Sequence, residues 1–224
     1  MRKLYHYPLN AESRAIRIIL AEKHLDYELI YEVPWEPTDA LFEYSPTGLL
    51  PVFIDLNGTA IYGASSIREY LDEAYPETKL IPGDVEQKAE ARKIADWFCT
   101  EFSLNVYSLI IDEKIYKRFS RTQSKTPNPY NILKALSNFY LHMEYISWLA
   151  ERRNWLAGKQ FSIADIYAAS YISVMDYLDC ISWNKHELAK EWYAKIKSRP
   201  SFRKILQDKV SQISPAKDFA NLDF

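Results

Sequence analysis

Gly48-Leu49-Leu50-Pro51-Val52-Phe53-Ile54-Asp55-Leu56-Asn57-Gly58-Thr59-Ala60-Ile61-Tyr62-Gly63-Ala64-Ser65-Ser66-Ile67-Arg68-Glu69-Tyr70-Leu71 decides the fold. It reads as a short apolar strand opened by a proline, an Asn-Gly hairpin turn, a second strand and then a helix. Asn57-Gly58 is predicted to supply the two positive-φ residues of a tight hairpin, and Ile67, Tyr70 and Leu71 fall at helical spacing and form a buried face. A proline cannot donate to a β-ladder. Pro51 therefore stands at a strand start or edge, and its bond to Leu50 can be cis.

Upstream, Lys3 to Tyr7 alternates weakly and stops at Pro8, which predicts a first strand. Ile16, Ile19 and Leu20 share one face of a helix predicted over Ser13 to Lys23, and Tyr27 to Val33 alternates again. A strand-helix-strand unit with parallel strands thus precedes the hairpin and its helix, which is the thioredoxin arrangement. Downstream, Pro76 and Ile81-Pro82-Gly83 bound a linker, and the pattern then becomes wholly helical, over Asp84 to about Tyr116 and over Tyr130 to Arg153. The predicted fold is an α+β thioredoxin-like N-terminal domain (1–77), a linker (78–83), an all-α C-terminal domain (84–209) and a tail (210–224).

Composition narrows the function classes. The chain has 224 residues, 48% of them hydrophobic, enough for a substantial core. Its 28 basic and 30 acidic residues are interspersed and leave a net charge of −2, so no basic field points to nucleic acid. Cys99 and Cys180 lack the spacing of a disulfide framework, a zinc site or a redox dithiol, which fits a reducing cytosol. No apolar run approaches membrane-span length and no signal peptide is expected, so the expected location is cytoplasmic.

The proline-opened strand, the hairpin and the helix after a Ser-rich turn resemble the lower half of the thioredoxin-like domain of glutathione transferases. Trp155 to Asp165 closely resembles the second signature of that fold, and Lys195-Ile196-Lys197-Ser198-Arg199-Pro200-Ser201-Phe202 matches its closing helices. In the second signature Ser162 and Asp165 form a capping box, a folding device and not a catalytic pair. The resemblance covers residues 1 to 209. It implies that the Leu50 backbone before Pro51 faces glutathione's cysteinyl unit and that an acid-Ser pair at the helix start holds the γ-glutamyl end. That pair falls on Gly63-Ala64, which cannot do so; a one-residue slip would bring in Ser65, but no Asp or Glu lies between Asp55 and Glu69. The family's activating group, which favours the attacking thiolate, falls on Asn10, whose amide can donate only a weaker hydrogen bond. Tyr5, Tyr7 and Ser13 are the remaining candidates, Tyr5 and Tyr7 reading also as strand tyrosines and Ser13 as a helix cap. No catalytic residue is assigned and no cofactor is expected, the alternative being an active transferase that conjugates glutathione to small electrophiles.

Three features point to a protein partner. Trp35 is bracketed by Pro34 and Pro37 and reads either as a ring folded over the domain edge or as an exposed, preorganised anchor. Lys114 to Lys125 is a basic run that includes Arg118 and Arg121, and it reads either as a solvated surface complementing the helix dipole or as a contact for an acidic protein partner. The tail ends in Leu222-Asp223-Phe224, and Asp223 and Phe224 are candidate contacts. The Pro34-Trp35-Glu36 turn, Tyr145 to Leu149, Trp192 to Phe202 and Ala220 to Phe224 together resemble a cell-division branch of the transferase superfamily. The resemblance implies a cytoplasmic homodimer at the division site. It would bind filaments of the tubulin-like protein FtsZ and signal to septal wall synthesis without glutathione chemistry. Asn221 stands where that branch usually carries an acidic residue.

Overall fold

A computed structural model describes residues 1–120 and 126–222. The N-terminal half is built from β1 (Arg2–His6), α1 (Ala11–Glu22), β2 (Tyr27–Tyr31), α2 (Asp39–Phe42), β3 (Val52–Ile54), β4 (Ala60–Tyr62) and α3 (Ala64–Ala74). The sheet order is β2-β1-β3-β4. β1 and β2 run parallel from Arg2↔Tyr27 to His6↔Tyr31, while β3 is antiparallel to both β1 and β4. The Leu50-Pro51 bond is cis, and Pro51 lies just before β3 as its missing N–H requires.

Two local expectations are corrected. The hairpin is not a two-residue turn: Gly58 N–H donates to the Asp55 carbonyl at 3.0 Å, and only Gly58 has a positive φ, 84°. Asn57 acts through its side chain, accepting the Thr59 N–H at 2.9 Å, so the loop is a type I turn closed by a left-handed glycine. The first helix starts at Ala11, not Ser13, because the Asn10 carboxamide oxygen accepts the Ser13 N–H at 2.7 Å and takes the capping role.

In the helical half, Asp84 and Gln87 form a reciprocal capping box that opens α4 (Val85–Trp97). The chain continues without a break through a π-helical stretch (Phe98–Tyr107), α5 (Ser108–Ile111), a second π stretch (Asp112–Tyr116) and α6 (Lys117–Phe119). After Asn128, whose side chain caps the next helix, come α7 (Pro129–Arg152), α8 (Ile163–Tyr177), α9 (Glu187–Lys197) and α10 (Arg203–Leu206). A 3-10 turn at Pro200–Phe202 separates the last two, since Pro200 cannot donate to a continuing helix. Every residue of α8 is buried, which makes it the axis of the domain.

The halves join where α1 packs on α8. Arg14 is fully buried, and its Nε donates to the Pro8 carbonyl at 2.6 Å while Nη1 donates to Ser173 Oγ at 2.8 Å. Arg17 makes a two-pronged pair with Asp208, 2.8 Å on each arm, and Arg199 a similar one with Glu22, 2.7 Å on each. The tail folds back: Ala216 N–H donates to the Tyr177 carbonyl at 2.9 Å, and Phe219 is 1% exposed, edge-on to Tyr177 with the Arg14 guanidinium 5.6 Å from its ring.

His6 sits beside this joint, its Nδ1 without a hydrogen-bond partner among the described residues. Burial pushes its pKa from 6.5 to about 4, and the nearby charges of Arg17 and Arg14 push the same way. The native state therefore binds fewer protons than the unfolded chain between those values, so stability is present above pH 6.5 and lost as pH falls toward 4. His6→Phe removes the titration. We expect the wild type to lose about 2 kcal/mol more than this variant between pH 7.5 and 5, measured as urea unfolding free energies; parallel curves for the two proteins would contradict it.

Candidate functional site

The β1–α1 loop, the cis-proline loop and the start of α3 face the middle of the long helix. Tyr7 is buried under Trp35, ring centroids 5.5 Å apart and nearly perpendicular, and burial raises the pKa of its phenol. The Asn10 oxygen is held by the Ser13 amide, and the buried Ser13 hydroxyl has no hydrogen-bond partner among the described residues. Tyr107, which ends the first π stretch, reaches across and donates to the Leu9 carbonyl at 2.8 Å. Tyr116, which ends the second, lies edge-on to Trp35 at 5.6 Å. π-Winding often accompanies functional regions, and here each stretch ends on a tyrosine that touches the N-terminal half.

Among the described residues neither the amide nor the carbonyl of Leu50, a buried residue, has a hydrogen-bond partner. The Pro51 carbonyl accepts the Gly63 N–H at 3.2 Å and ties the loop to α3. Gly63, at φ 82°, occupies the N-cap of α3 with no side-chain cap, and Ser65 and Ser66 are exposed in the first turn. The Ala64 carbonyl accepts from Tyr167 Oη of α8 at 3.0 Å, which fixes where α3 begins. Glu69 is held by Arg92 and does not turn back to the helix start. Glu12, on α1, is a second half-buried acid of this region. Burial raises its carboxyl pKa, while hydrogen bonds from Cys99 and Tyr171 and the charge of Arg68 oppose that rise.

A second surface lies on the other side of Tyr7. Trp35 is half-buried, not a freely projecting ring: besides Tyr7 and Tyr116 it stacks on Phe119 at 6.1 Å with 19° between planes. The exposed guanidinium of Arg118 lies 5.1 Å from the Phe119 ring centroid. The fold thereby brings Trp35 and Arg118 onto one surface through a residue that sequence reading did not single out. Arg121, Asp223 and Phe224 lie outside the described residues. Among the described residues no group of three or more His, Cys, Asp or Glu is arranged to hold a metal, and no helix is long and apolar enough to cross a membrane.

The family profile for the glutathione S-transferase N-terminal domain matches residues 4–79, and that for the glutathione S-transferase C-terminal domain matches 131–200. FtsZ-localized protein A of Caulobacter vibrioides is 34% identical over 226 residues, covering 100% of this chain and 98% of that protein. The chain belongs to the glutathione S-transferase superfamily. Its fold overlays FzlA from C. crescentus with a TM-score of 0.96 at 34% identity, over 100% of this chain and 99% of the other. A glutathione S-transferase from Rhodospirillum rubrum F11 overlays with a TM-score of 0.95 at 41% identity, over the whole of both chains.

Within this transferase fold the family positions are unevenly preserved. The cis-proline geometry around Leu50 and Pro51 is present, and Ser65 presents its hydroxyl near an uncapped helix start, where backbone N–H groups favour an anion. At Asn10, the residue the resemblance aligns with the family's activating group, the side-chain oxygen serves the helix cap, which leaves its amide nitrogen as a donor. The long-range contacts of Tyr107, Tyr167 and Glu12 left no trace in local periodicity, because each partner lies on a sequence-distant element.

Proposed function

We propose that this chain is a transferase-fold regulator of cell division that binds FtsZ filaments through the surface formed by Trp35, Phe119 and Arg118 and helps connect them to septal wall synthesis, without glutathione chemistry. The observation that carries the reading is Trp35 itself. Three rings hold it in place while it remains half-exposed beside an arginine that has no ion pair among the described residues. Preorganised Trp and Arg are the side chains that most often dominate protein interfaces. Full-length similarity to FtsZ-localized protein A supports the choice of partner. The proposal includes a cytoplasmic location at the division site and a homodimer. An exposed aromatic face favours the dimer: Trp148 is 48% exposed, stacked on Tyr145 at 5.9 Å and overlain by Arg152. Sedimentation velocity tests that component.

Trp35→Ala removes the ring at the centre of the surface. A hot-spot tryptophan is worth about 2 kcal/mol or more, so co-sedimentation with FtsZ filaments is expected to weaken about thirtyfold. Unchanged co-sedimentation by a folded variant would take Trp35 out of the site.

The Leu50 backbone, unpaired among the described residues, and the exposed Ser65 favour a second reading, glutathione binding with transferase chemistry. The lost acid at Gly63-Ala64 weighs against it, since a charge-assisted hydrogen bond is worth about 1.5–3 kcal/mol, roughly tenfold or more in affinity. Calorimetric titration with glutathione up to millimolar concentrations separates the two: saturable binding would put the enzyme reading first.

A further inference from the structure

Behind the Trp35 surface, the end of the long helix, the end of α8 and the tail enclose a groove of about 650 Å³, a size that suits a drug-sized ligand or a short peptide segment. Its floor is aliphatic, with Ile115 buried and Ile132 and Ile213 half-buried. Its tail wall is fixed, not loose: Ala216 N–H donates to the Tyr177 carbonyl at 2.9 Å, Tyr177 Oη donates to the Ile213 carbonyl at 3.0 Å, and Phe219 plugs in two residues beyond Lys217.

The charges around this groove are unbalanced. Arg118 and Lys217 are exposed at its rim and have no ion pair among the described residues. The Lys114 ammonium is oriented by the Leu178 carbonyl at 2.9 Å and by Cys180 Sγ at 3.3 Å, and no carboxylate among the described residues neutralises it. On the acidic side, Glu113 is buried and already receives Lys117 Nζ at 2.8 Å, the Asn128 N–H at 2.6 Å and the Asn131 amide at 2.7 Å. Asp179 is the one exposed acid among the lining residues. Three cations around an aliphatic floor complement a segment that is acidic at its ends and aliphatic in the middle. No exposed aromatic ring lines the floor to stack on a nucleobase, which sets nucleic acid apart from this chemistry.

We infer that this groove is a docking site for an acidic peptide segment with an aliphatic anchor, contributed by the protein partner that meets the adjoining Trp35 surface. The inference rests on the protein-binding reading above and extends it to a second contact, in which the docked tail serves as one wall of the site.

The test is fluorescence anisotropy of the full chain with a fluorescein-labelled decapeptide of five acidic residues around two leucines, with a lysine-for-acid decapeptide as control, alongside FtsZ co-sedimentation. Saturable binding of the acidic peptide only is expected, weakened by raised salt and about tenfold by Arg118→Glu with Lys217→Glu, both exposed positions outside the core. Ile213→Asp should weaken it by removing the apolar floor. No binding of the acidic peptide, equal binding of the basic control, or indifference to these substitutions would overturn the groove. Failure of FtsZ co-sedimentation with peptide binding intact would overturn the FtsZ reading and leave the groove standing.

Discussion

Asp208→Ala is expected to destabilise the fold by about 3–5 kcal/mol, the range for removing one member of a buried ion pair. Asp208 answers two guanidiniums that come from the other end of the chain: Arg17 pairs with it on both arms at 2.8 Å, and Arg14 Nη2 lies 3.7 Å away. Both arginines are buried, and among the described residues Arg14 Nη2 and Arg17 Nε have no hydrogen-bond partner even with the carboxylate present. Without it two cations face each other beside the apolar joint of α1 and α8. Arg14→Met should cost much less. It removes one buried charge, leaves the Arg17–Asp208 pair intact, and its main penalty is the Pro8 carbonyl deprived of its donor. Urea midpoints of the two variants decide the matter; an Arg14→Met loss equal to that of Asp208→Ala would show that packing, not charge compensation, governs this joint.

Asp165→Ala is expected to cost about 4 kcal/mol, several times the loss from Ser162→Ala, which removes an ordinary helix cap worth about 1 kcal/mol. The carboxylate accepts three N–H donors in the core: Leu156 N–H at 2.9 Å, Ser162 N–H at 3.1 Å and Trp192 Nε1–H at 3.0 Å. Truncation strands all three, each carrying an unsatisfied-donor penalty of about 1–3 kcal/mol that need not add fully. Burial pushes the carboxyl pKa up to about 6 against the pull of those donors, so the native state holds the proton more tightly than the unfolded chain. This group's contribution is therefore greatest below its unfolded pKa and declines as pH rises toward 6, opposite in sign to His6. Thermal or urea unfolding of both variants at pH 7 checks the ranking; equal losses would mean that the carboxylate does no more than cap α8.

These two acids mark how far the sequence was legible. Ser162 and Asp165 were readable as a capping box because both ends of that interaction lie within one helical turn. The third donor, Trp192, was not, because it sits on another helix. Asp208 carried no signal at all, since its partners are on α1 and only packing of the tail-side turn against that helix brings them together.

The candidate site divides along the same line. Proline placement and hydrophobic period indicated the order of elements, the parallel strand pair and the loop before Pro51, because backbone constraints and side-chain periodicity are local. They misjudged the hairpin, where the Asn57 side chain replaced a second positive φ, and the first helix, where Asn10 proved to be the cap. The same local reading singled out the bracketed Trp35, whereas the missing acid at Gly63-Ala64 came from the family resemblance alone. Whether Trp35 projects or packs, that Phe119 joins it to Arg118, and that the tail closes a groove with Lys217 on its rim were settled only in three dimensions. Each of these depends on contacts between residues far apart in the chain, and such contacts are chosen by the packing of whole elements and not by any residue's neighbours in sequence.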